Sequence, residues 1–145
     1  MEVYTIGFAK KKARQFFSAL RKAAIKRLID VRLNNSSQLA GFTKRDDLSF
    51  FLQELCGTEY IHMPILAPTK DILDDYKNKK ITWQDYERRF MALMAERRIE
   101  EKVDKALFEV PAVLLYSEPT ADQCHRRLVS EYLKGSDRDH TLICD

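Results

Sequence analysis

Five short β-branched or apolar runs alternate with stretches of helical periodicity, and this alternation constrains the chain more than any other feature. Val3-Tyr4-Thr5-Ile6 ends at Gly7, and Arg27–Arg32 and Glu59–Pro64 follow. Val110–Tyr116 is the most apolar of the five and the best candidate for a central strand, and His140–Cys144 is the last. Such runs suit buried strands. Between them, residues 13–25 place Phe16, Phe17, Leu20, Ala23 and Ala24 on one helical face. Asp46 or Asp47 is expected to cap a helix carrying Leu48, Phe51, Leu52 and Leu55, with Gly57 as its stop. A short helix is expected over Thr69–Lys77. Thr82 caps a longer one with an apolar stripe from Trp83 through Tyr86, Phe90 and Met94. That stripe reads as core, or as the wall of a pocket over the strand ends. A break is expected around Arg97–Ile99, then a helix to Leu107. Thr120 with Gln123 forms a capping box for a last helix reaching Leu133, closed by Gly135.

The order β-α-β-α-β-α-α-β-α-β predicts an α/β fold: a single three-layer αβα domain over residues 1–145, Rossmann-like, with a mostly parallel sheet of about five strands. At 145 residues the chain is long enough for a substantial core. No repeat, linker or low-complexity tract divides it. No apolar run approaches the roughly 18 residues of a membrane span, so no membrane partner is expected. Met1–Gly7 lacks the basic and apolar regions of a signal peptide. Cys56, Cys124 and Cys144 are too scattered for a disulfide framework, and His62, His125 and His140 fit no zinc spacing. A reduced, cytoplasmic location fits these features, and no metal or cofactor is indicated.

Charge is divided along the chain. Residues 1–45 carry 11 lysines and arginines against 2 acids, whereas residues 46–145 carry 14 against 20. Lys10, Lys11, Lys12 and Arg14 begin the basic block, which reads either as a surface for nucleic-acid phosphates or as a solvated helix face.

In open α/β sheets ligands bind beyond the carboxyl ends of the strands. Asp30 and Arg32 stand there on one face of the second run by period two, paired either with each other or with Glu118 and Arg126. His62 is near the end of the third run. After the fourth come Glu118 and the segment Cys124-His125-Arg126-Arg127. Cys124 and His125 lie four residues before Leu128 and Val129, so they continue that helix's buried stripe to its first turns. A helix start favours thiolates and other anions. Cys124 is therefore a candidate nucleophile, although no Cys-x5-Arg loop follows it, Ser130 standing where the arginine would be. His125 or Glu118 is a candidate for proton transfer, and Asp30, Arg32, Arg126 and His62 for ligand binding.

Tyr4–Gly7, Leu28–Arg32, Tyr60–Pro64 and, most strongly, Leu114–Glu118 followed by Cys124–Leu128 together resemble the domain-of-unknown-function family DUF488. The resemblance spans residues 4 to about 133 and implies a polar cluster of Asp30, Arg32, Glu118, Cys124, His125 and Arg126, with His62. Members often carry His after the first glycine and Cys in the fourth strand, where this chain has Phe8 and Tyr116. The expected function is binding of a phosphorylated or nucleotide-like anionic small molecule, with or without catalysis. The alternatives are a nucleic-acid-associated module and a noncatalytic interaction protein.

Overall fold

The computed structural model describes residues 3–8, 11–33, 38–116, 128–129, 132 and 140–142. Strand β1 (Val3–Gly7) leads to helix α1 (Ala13–Lys22) and strand β2 (Arg27–Asp30). Helix α2 (Arg45–Cys56) precedes β3 (Glu59–His62). Three helices follow, α3 (Lys70–Lys77), α4 (Trp83–Glu96) and α5 (Ile99–Lys102), before β4 (Ala112–Tyr116) and β5 (His140–Leu142).

The strands form one parallel sheet in the order β3-β2-β4-β1-β5. All five residues of β4 are buried. It therefore takes the middle, where its apolar side chains are covered on both faces and its backbone groups pair on both edges. Alternate residues divide the core between the two faces. Ile6, Leu28, Val113 and Leu115 pack under α1 and α2 with Phe16, Leu20, Leu48 and Leu52. Ile29, Leu114 and Tyr116 pack on the other face with Ile72, Tyr86, Phe90 and Met94 from α3 and α4, and with Leu128 and Val129. The connections out of β1 and β2 thus cover one face and those out of β3 and β4 the other, which is the doubly wound arrangement expected from the element order.

The helix ends follow local chemistry. Thr82 and Asp85 exchange hydrogen bonds at the start of α4, with Asp85 N–H donating to Thr82 Oγ1 at 3.1 Å and Thr82 N–H to Asp85 Oδ2 at 3.3 Å. The expected break after α4 occurs at Arg98, whose φ is 54°. Beyond it the expected helix to Leu107 is shorter, ending at Lys102 and followed by a 3-10 turn over Lys105–Phe108. Asp46 and Asp47 do not cap α2. Lys44 takes that position, and the two acids lie in the first turn, where they face the positive end of the helix dipole. A reversal at Gly41 (φ 56°) already sets the entry to the helix before the acids are reached.

Helix α1 stops at Lys22 rather than running through the expected 13–25. Ala24 adopts φ 54°. Its N–H donates to Arg21 O at 3.1 Å, and the Ile25 N–H donates to Leu20 O at 3.0 Å. This is a Schellman ending with alanine in the left-handed position that glycine ordinarily fills. Gly57 fills the corresponding position after α2 at φ 62°, and a Cβ there would meet no atom within 4 Å. The backbone penalty alone should therefore decide both substitutions, with opposite signs. Ala24→Gly is expected to stabilise the protein, and Gly57→Ala to destabilise it, each by about 1 kcal/mol in urea denaturation.

Candidate functional site

The two crossover directions meet at β4, whose neighbours β1 and β2 send their connections over the opposite face. In doubly wound sheets the crevice outside the strand ends at such a switch point is where ligands sit. Backbone pairing extends one residue past the strands there. Phe8 N–H donates to Tyr116 O, and Val31 N–H to Leu115 O, both at 3.3 Å. Phe8 and Arg32 are thereby held on either side of β4 at the carboxyl edge.

Asp30 is 0% exposed and Arg32 is 3% exposed. Their parity along β2 turns both side chains to the same side, and they pair with each other. Arg32 Nε donates to Asp30 Oδ1, and Arg32 Nη2 to Asp30 Oδ2, both at 2.8 Å. The Arg32 backbone N–H reaches Oδ1 at 3.1 Å, and the Tyr60 hydroxyl donates to Oδ2 at 2.5 Å. Burial by itself raises the Asp30 pKa. The hydrogen bonds and charge of Arg32, the Tyr60 hydroxyl and the Arg32 backbone N–H together outweigh it and hold the carboxyl below its ordinary value.

The guanidinium is held on further sides. Nη2 also donates to Thr43 O at 2.7 Å, and Cζ lies 5.4 Å from the centroid of the Phe8 ring. Nε and Nη2 are thus fully used. Nη1 is buried and has no hydrogen-bond partner among the described residues. His62 lies opposite Asp30 in the β2–β3 register, with Nε2 3.1 Å from Arg32 O. That carbonyl can only accept, so Nε2 is the donor.

The structure therefore brings together Asp30, Arg32 and His62 of the expected site. Glu118, Cys124, His125 and Arg126 lie outside the described residues, as does Lys10. Lys12 and Arg14 are exposed at the start of α1 and Lys11 just before it is half-buried, none of them part of this cluster. Sequence reasoning passed over Tyr60 and Thr43, and named Phe8 only as the residue after the first strand's glycine, where family members often carry His. Tyr60 carried a signal, because it shares a strand face with His62 by period two. Thr43 contributes a backbone carbonyl, which has no side-chain signature. Among the described residues no three His, Cys, Asp or Glu side chains are placed to hold a metal ion, and no helix is long and apolar enough to cross a membrane.

The protein is of the α/β class, a doubly wound parallel sheet with a buried Asp–Arg fork at its switch point. Residues 12–133 match the family model described as "Domain of unknown function DUF488", and the chain belongs to that family. Comparison with curated proteins found no match, and comparison with solved structures found none.

Proposed function

We propose that the protein binds an anionic small molecule, phosphorylated or nucleotide-like, at the carboxyl ends of β1, β2 and β4. The observation that carries this reading is Arg32 Nη1. Leaving a buried donor unsatisfied costs about 1–3 kcal/mol, so such a group calls for a partner. An oxyanion supplies one. Asp30 and Thr43 O lock the guanidinium through its other nitrogens, so Nη1 is presented without loss of side-chain entropy on binding. The Phe8 ring forms an apolar wall against the same cation.

The sequence adds Glu118, Cys124, His125 and Arg126 shortly after β4, the strand flanked by β1 and β2. Arg126 is the second anion-binding candidate. Glu118 and His125 are the candidates for proton transfer, with Cys124 as a nucleophile if the site is catalytic. A reduced, cytoplasmic setting suits the scattered cysteines.

The test compares the wild type with Arg32→Lys in thermal-shift and calorimetric titrations against inorganic phosphate, sulfate and nucleoside mono- and triphosphates. Lysine keeps a cation beside Asp30 but lacks the fork, so it cannot hold Asp30 and donate outward together. At about 100 times Kd a bound ligand stabilises the wild type by about 2.7 kcal/mol. That gain should be lost in Arg32→Lys. No gain for any of these anions in the wild type, or an equal gain in the variant, refutes the proposal.

A second reading takes nucleic acid as the partner. It is supported by α1, which contains Arg14, Arg21 and Lys22 and no acidic residue. It requires oligonucleotide binding that weakens steeply with salt and falls in Lys12→Glu/Arg14→Glu.

A further inference from the structure

The face of α1 and α2 away from the sheet carries an apolar groove with a volume of about 480 Å³. Phe17, Phe42, Phe51 and Leu55 form its floor, and Arg14 and Arg21 line the α1 side. Phe50, 61% exposed, and Leu55, 47% exposed, project from α2. The Phe50 ring meets the Phe51 ring edge-on at 5.7 Å, so the protrusion and the groove adjoin. A ring this exposed at the rim of an apolar groove marks a contact surface.

The charges on the two rims are complementary. Arg14 and Arg21 lie seven residues apart on α1, two turns along one face. Asp47 and Glu54 are also seven apart on α2, and Phe50 lies between them. All four charged side chains are exposed, and none forms an ion pair among the described residues. Both helices return between parallel strands, so they run in the same direction. The ring centroids of Phe17 and Phe51 are 5.9 Å apart, which sets those two residues at one level. Arg14 is then level with the turn containing Asp47, and Arg21 with the turn containing Glu54.

We infer that this face is the interface of a symmetric homodimer, with a second copy of the chain as the occupant of the groove. A two-fold axis running along the groove places α1 of one copy over α2 of the other and preserves the level of every residue. Arg14 then meets Asp47 of the other copy, Arg21 meets its Glu54, and its Phe50 enters the groove beside Phe17 and Ser18. Each contact occurs twice, as an isologous interface requires. Within a single copy one basic rim and one acidic rim explain neither the exposed Phe50 nor the matched spacing. A second copy accounts for both.

Sedimentation velocity over a dilution series of the full chain tests the inference, with circular dichroism confirming that each variant is folded. Phe50 is exposed, so Phe50→Glu should fold normally. The wild type is expected to sediment as a dimer. Phe50→Glu should raise its dissociation constant at least about tenfold, as expected for a central aromatic anchor. Arg21→Glu alone and Glu54→Arg alone should each weaken it. The double variant Arg21→Glu/Glu54→Arg should restore it, because the exchanged charges meet again across the axis. A monomeric wild type at every concentration overturns the inference, as it would if the groove served a small apolar acid or an oligonucleotide. A dimer indifferent to Phe50→Glu, or a double variant as weak as the singles added together, overturns it as well.

Discussion

Asp30→Ala is expected to lower the unfolding free energy by about 3–5 kcal/mol, because it leaves the Arg32 guanidinium buried without its counter-charge. That is a large share of the roughly 5–15 kcal/mol that holds an ordinary domain folded, so the variant should be poorly soluble or partly unfolded at 37 °C. The loss comes from the orphaned charge rather than from the missing carboxylate volume. Asp30→Ala/Arg32→Met, which removes both charges, should therefore be more stable than Asp30→Ala alone. Tyr60→Phe removes one hydrogen bond to Asp30 and should cost about 1 kcal/mol. Urea denaturation at neutral pH separates the three. Acid adds a further check. The folded-state pKa of Asp30 lies below its unfolded value. Its contribution is therefore complete above the unfolded pKa, about 3.9, and is lost as pH falls through the lower folded value. The gap between the wild type and Asp30→Ala should hold from neutrality down to about pH 4 and narrow only below it.

Phe90→Ala is the second large loss, at about 3–5 kcal/mol. Phe90 is fully buried on α4 and stacks on Tyr86 with a 6.1 Å centroid separation and near-parallel rings. Tyr86 in turn lies 5.0 Å from Trp83 and 5.1 Å from Tyr76. Phe90 thus fills the space between an aromatic row and the sheet residues of the same core. A cavity of phenyl size there has stacked rings on one side and a sheet on the other, neither of which collapses easily. The expected signature is a lower denaturation midpoint with an unchanged denaturant slope. Trp83→Ala, at the half-exposed end of the row, should cost clearly less.

The alternative that the Trp83–Met94 stripe lines a pocket over the strand ends is settled by this packing, since Tyr86, Phe90 and Met94 are in the core. Periodicity made the stripe legible, and composition made β4 legible as a central strand. Gly57 and Thr82 were legible because each has a residue type suited to its cap. The end of α1 was not, because Ala24 does by backbone strain what a glycine would have announced. The start of α2 was misread because two acids suit a cap and a first turn equally, and only the reversal at Gly41 decides between them. Asp30 and Arg32 stood out as charges inside an apolar run. What holds Arg32 in place did not stand out. A carbonyl at Thr43 and the flat side of Phe8 come from residues 11 positions later and 24 positions earlier in the chain, and neither residue type signals that use.

The strand order also sets a schedule for the growing chain. β1 pairs only with β4 and β5, and β2 needs β4 on its inner edge. Until residues 112–116 have been made, the one ladder available among the described residues is that between β2 and β3. Ile6 must wait for Leu115, and meanwhile Phe16, Phe17 and Leu20 have no complete sheet to cover. Pairings this distant in sequence close slowly. A ribosome leaving residue 111 therefore carries the apolar faces of α1 and α2 without the complete sheet that covers them, and this is the interval in which a chaperone would matter most.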